Sequence, residues 1–96
     1  MTYSPEEINQ KLAAHPDWSL GDDGQLHMNV TLGNFKEIVM FANAVALLAE
    51  TANHHPDILM HGYKNLRISV MTHDQDGITD KDFELVAAID NLPRFG

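Results

Sequence analysis

The chain contains no cysteine, which removes disulfides, thiolate zinc sites and a cysteine nucleophile together. Histidine and carboxylate are left as the only side chains able to hold a metal. Positive charge is also scarce. Six Lys and Arg against fourteen Asp and Glu give a formal net charge of −8, the wrong sign for the counterion release that dominates nucleic-acid affinity. Direct DNA or RNA binding is therefore not expected. No apolar run approaches the roughly 18 residues needed to cross a bilayer, and Met1-Thr2-Tyr3-Ser4 lacks the basic-then-apolar opening of a secretory signal. A cytoplasmic protein without membrane contact is the expectation. No serine sits in a Gly-x-Ser-x-Gly elbow, so nucleophilic catalysis of that kind has no candidate. Repeats and low-complexity segments are absent too.

What is present is 96 residues, 44% of them hydrophobic, enough for one domain spanning residues 1–96 with one core. A chain this small gains appreciable stability from oligomerisation. Three helix starts are marked by caps. Ser4-Pro5-Glu6-Glu7 forms a capping box with proline at the first helical position, and Pro16 ends that helix at about His15. Asn34-Phe35-Lys36-Glu37 begins the second in the same way, and Phe35, Ile38, Ala42, Val45, Ala49 and Ala52 follow at helical spacing. Met40, Phe41, Leu47 and Leu48 widen its apolar surface until it needs two partners, a sheet on one side and a helix or subunit on the other. Thr79-Asp80-Lys81-Asp82 caps the third, and Pro93 stops it.

Between the helices the period falls to two. Leu26, Met28, Val30 and Leu32 alternate with polar residues after a Gly21–Gly24 turn that leads back to a strand near Trp18. Leu66, Ile68 and Val70 repeat the pattern, and a shorter strand at 58–60 precedes a turn around Gly62. One-sided strands belong to an antiparallel sheet covered on a single face, so the expected fold class is α+β.

The chemistry concentrates in Glu50-x3-His54-His55-Pro56-x6-Tyr63-x9-His73-x8-Asp82, whose named positions include three of the six histidines. Histidine titrates near neutrality, and three of them with two carboxylates form proton-transfer equipment. Pro56 pushes His55 into an extended path, where successive side chains face opposite ways. The adjacent histidines are therefore poor chelators, unlike an i, i+4 helical pair, and no metal is expected. Asp82 is first of all the third residue of the Thr79 capping box. Glu50 is a solvated helix residue unless something fixes it, and Tyr63 by itself reads as a hairpin residue packed on the sheet. His15, His27 and His61 carry no pattern and are expected at the surface.

This constellation resembles the pterin-4a-carbinolamine dehydratases, whose motif is an acidic residue, three others, His-His-Pro, five or six residues, an aromatic, nine residues, His, then Asp. Glu50, His54, His55, Pro56, Tyr63, His73 and Asp82 match each element. Asn53 departs from the acid that many members carry before the histidine pair, and Ile58 from the tryptophan of the animal enzymes. The resemblance implies a four-stranded antiparallel sheet with three helices on one face, assembled as a homodimer or homotetramer. It implies dehydration of 4a-hydroxytetrahydrobiopterin to quinonoid dihydropterin, in recycling of the pterin used by aromatic amino-acid hydroxylases, with no cofactor. His54, His55 and His73 are then catalytic, and Glu50, Pro56, Tyr63 and Asp82 bind substrate or support the histidines. The alternative is a protein-binding relative of the same fold, an assembly factor or transcriptional cofactor.

Overall fold

A computed structural model describes residues 1–94. The elements run α1 (Pro5–Leu12), β1 (Trp18–Leu20), β2 (Leu26–Thr31), α2 (Phe35–Ala52), β3 (Asp57–His61), β4 (Asn65–Val70) and α3 (Asp80–Asp90), with a 3₁₀ turn at His73–Gln75 before α3. The strands form one antiparallel sheet in the order β1-β2-β4-β3. Two hairpins are thus joined through their second strands. Met28 faces Ile68 across that seam, and Ile58 continues the row on β3.

The period-two pattern explains which face is covered. Leu26, Met28 and Val30 of β2 and Leu66, Ile68 and Val70 of β4 are buried against Ile38, Phe41 and Val45 of α2 and Leu85, Val86 and Ile89 of α3. Ile8 and Leu12 of α1 close the same core at the β1 side. At about 25 cal/mol per Å² this burial is the main force holding the helices on the sheet. The α+β class and the one-sided arrangement agree with the reading of the sequence.

Three local readings change. The first helix ends at Leu12, not His15, because His15 turns away to bond the Asp90 carboxylate at the end of α3, 2.6 Å from its Nδ1. At α2 the Asn34 side chain accepts from the Glu37 N–H as expected, but the Glu37 carboxylate reaches past the cap to the Gly33 N–H at 3.0 Å, so the box is not reciprocal. His27, expected at the surface, is only 7% exposed. Its Nδ1 lies 2.7 Å from the Ser69 hydroxyl and its Nε2 2.9 Å from an Asp23 oxygen. Gly21 permits this, since a β-carbon there would stand 2.6 Å from the ring.

Candidate active site

The end of α2 fixes where the histidine pair emerges. Asn53 adopts the left-handed conformation (φ 50°, ψ 43°), its N–H bonds the Glu50 carbonyl, and the His54 N–H bonds the Ala49 carbonyl. This is the Schellman pattern that satisfies the last carbonyls of a helix, and after glycine asparagine adopts it most readily. The chain leaves the helix sharply, and Pro56 keeps it extended into β3. His54 and His55 consequently face apart. His54 turns inward, 13% exposed, with Nε2 2.6 Å from Asp82 Oδ1, whereas His55 stays exposed with Nε2 2.9 Å from Glu50 Oε2.

Asp82 is completely buried and fully bonded. Oδ2 accepts the Thr79 N–H at 2.9 Å and the Thr72 hydroxyl at 2.8 Å, while Oδ1 takes His54. An ionised carboxylate only accepts, so the Nε2 of His54 must carry a proton and Nδ1 is left for a ligand. The capping box of α3 and the anchor of His54 are thus one side chain. Thr72, which also meets the Thr79 hydroxyl at 2.8 Å, completes the buried network. A buried carboxylate without such partners would cost several kcal/mol.

His54, His55 and His73 all line one open cleft of about 400 Å³, with Asn53, Thr72 and Lys81 among its other walls. The strand expected to end at His73 stops at Val70 instead. Thr72 then bridges to Gly77, and His73 opens the 3₁₀ turn, exposed. Glu50 and Asp82 do not line the cleft but each holds a histidine that does. Pro56 shapes the path and lies outside the lining. Tyr63 is elsewhere: β3 and β4 carry it to the hairpin turn at the far end of both strands, where it is 64% exposed with φ 54° and Lys64 over its ring. A single chain does not bring it to the histidines. Thr72 and Lys81 were not singled out in the sequence. The placement of Lys81 between two cap residues was the available signal, and Thr72 offered none. Among the described residues no three His, Asp or Glu side chains gather as metal ligands.

The chain is similar to known proteins in sequence and in fold. A protein of Chloroflexus aggregans named "Putative pterin-4-alpha-carbinolamine dehydratase" is 46% identical over 93% of this chain and 94% of its own length. A Gloeobacter violaceus protein named "Putative pterin-4-alpha-carbinolamine dehydratase 2" is 42% identical over 90% and 96%. Two solved structures share the fold at lower identity. The Brucella melitensis protein described as a transcriptional coactivator/pterin dehydratase aligns with TM-score 0.87 at 23% identity over 94% of this chain and 96% of that one. A pterin dehydratase-like protein described as a RuBisCO assembly factor in the alpha-carboxysome aligns with TM-score 0.63 at 21% identity over 77% and 86%. The family described as pterin 4 alpha carbinolamine dehydratase matches residues 1–92, and the chain belongs to that family.

Proposed function

We propose that this protein dehydrates 4a-hydroxytetrahydropterins to quinonoid dihydropterins by histidine acid–base catalysis. The observation that carries the reading is the convergence of His54, His55 and His73 on one cleft, with His54 anchored by a buried carboxylate. In this reaction the C4a–O bond breaks, the hydroxyl leaves as water with a proton from an acid, N5 gives its proton to a base, and a C4a=N5 bond forms. No electrons are exchanged with another molecule, so no cofactor is required. His54 is the base in this proposal. Its Nδ1 is free to accept, and the Asp82 carboxylate behind it orients the ring and offsets the positive charge of the imidazolium that forms. His55 and His73, open to water, supply and recover the other proton. Glu50 steadies His55 in the same manner as Asp82 steadies His54, at a more exposed pair.

The substrate is the product of a pterin-dependent hydroxylation, which links this activity to an aromatic amino-acid hydroxylase. The test is quinonoid dihydropterin formation from chemically generated 4a-hydroxytetrahydropterin, followed spectrophotometrically. The expected result is acceleration over the uncatalysed reaction that His54→Ala lowers by about 10² to 10⁴. A parent protein matching the uncatalysed rate would overturn the reading. A second reading would then take its place, that of a protein-binding or assembly role, which the exposed apolar residues Met40 and Leu47 on α2 favour.

A further inference from the structure

Of the three cleft histidines, His54 is held by Asp82 and His55 by Glu50, but among the described residues no carboxylate pairs with His73. Its ring therefore stands where its backbone puts it. That backbone is a closed loop: the Thr72 N–H bonds the Gly77 carbonyl at 2.8 Å, and the Asp76 N–H bonds the His73 carbonyl at 3.1 Å. The residues before α1 lie against this loop. Their approach is set at Ser4, whose hydroxyl accepts the Glu7 N–H at 3.2 Å while the Glu7 carboxylate accepts the Ser4 N–H at 2.8 Å, fixing the angle at which the chain enters the helix. Tyr3 then ties two points. Its N–H donates to the Ile78 carbonyl at 2.9 Å, its hydroxyl donates to Asp80, and its ring stands edge-on to Phe83 with centroids 5.8 Å apart. Thr79, the cap that Asp82 completes, lies between them. Thr2 packs on Gly77 so closely that a β-carbon there would stand 2.8 Å from the Thr2 methyl, well inside the roughly 3.5 Å at which carbons attract. Met1 shares a surface hollow with Thr72, Asp74 and Gln75. We propose that Thr2 and Tyr3 are positioning residues of the site, a brace that keeps the Thr72–Gly77 pair closed and so sets where His73 stands relative to His54.

The inference rests on the dehydratase reading for its effect on rate, and a second measurement, hydrogen exchange of the Thr72 amide, reads the brace directly. Two variants release it from opposite ends. Gly77→Ala drives its methyl into Thr2 without backbone strain, because Gly77 lies outside the left-handed region, and Tyr3→Ala removes the hold on Asp80 and Phe83 while leaving the loop sequence intact. Gly77→Ala/Thr2→Gly takes away the collision. In either single variant kcat for dehydration of 4a-hydroxytetrahydropterin is expected to fall about tenfold with KM near the parent's, and the Thr72 amide to exchange about tenfold faster. Both readouts should return towards the parent in the double variant. In a His73→Ala background Gly77→Ala is expected to lower kcat no further, since the brace acts through that ring. A single variant with the parent's kcat or the parent's exchange rate would overturn the brace and leave the dehydratase standing. So would a double variant without recovery, or a tenfold loss repeated in the absence of the His73 ring. No turnover by the parent would remove the dehydratase and the positioning role together.

Discussion

Asp82 caps a helix and holds a candidate catalytic histidine with the same carboxylate. Its Oδ2 caps α3 through the Thr79 N–H, and its Oδ1 dictates which nitrogen of His54 is protonated. Asp82→Asn separates the two duties. The amide oxygen can keep the cap, but the amide NH₂ facing His54 turns its Nε2 into an acceptor and moves the ring proton to Nδ1, the nitrogen proposed to act as the base. The dehydration rate is expected to fall by about 10² to 10⁴ with a stability loss of only about 1 kcal/mol. Asp82→Ala, in contrast, leaves buried partners unpaired and is expected to cost about 3 kcal/mol, read from the urea midpoint. The cap was legible in the spacing of Thr79 and Asp82. The bond to His54 was not, because it requires the end of α2 to meet the start of α3, a tertiary contact with no local signature. His27 was misread for a related reason. Alternation put it on the polar face of β2, and only the β1–β2 turn folding over it through Gly21 and Asp23 buries it there.

At the scale of elements, the end of α2 does more for the site than the strands do. The left-handed turn at Asn53 sets the direction in which His54 and His55 leave the helix. Asn53→Ala forces a β-carbon residue into that conformation without the asparagine's local hydrogen bonding, and is expected to cost about 1 kcal/mol. Asn53→Gly keeps the turn, so it should hold stability near the parent's. If the turn also aims the histidines, the dehydration rate will fall in Asn53→Ala and recover in Asn53→Gly, and a rate that ignores both would detach the turn from catalysis. Capping residues and period-two strands made nearly every element visible in advance, since each is specified locally. The pairing of β2 with β4, which fixes the order β1-β2-β4-β3, was not visible, because alternation says which face a strand buries and not which neighbour it takes. The same limit hid the placement of Tyr63. Its spacing joined it to the histidine motif, but the direction of β3 carries it away from them.

For the whole molecule, two exposed contacts each contribute to how stability responds to pH. The Gln25 N–H and then the His27 side chain hold the Asp23 carboxyl below the usual carboxylate range. Its contribution is present above the unfolded value of about 4 and is lost as pH falls through the depressed folded value. Tyr3 runs the other way. Its hydroxyl bonds Asp80, which raises its pKa above the ordinary tyrosine value, so its contribution is present below about pH 10 and is lost as pH rises through the raised value. Urea midpoints across pH should therefore decline less at the acid end in Asp23→Asn and less at the alkaline end in Tyr3→Phe than in the parent. Assembly is the remaining question at this scale. Leu47 is 69% exposed, Met40 lies two turns before it on the same face of α2, and Leu59 and Met60 are exposed on the edge strand β3. An apolar helix stripe and an open strand edge on so small a chain call for a second copy. Light scattering is expected to give two or four times the 10.7 kDa of the chain, and Leu47→Lys to lower that mass. Monomer at about 100 μM, well above the dissociation constant of any stable dimer, would contradict the expectation. Because His54, His55 and His73 come from one chain, a dissociated Leu47→Lys variant should still turn over substrate. Loss of turnover on dissociation would instead mean that a partner copy completes the cleft, and would make the distant, exposed Tyr63 the first residue to test there.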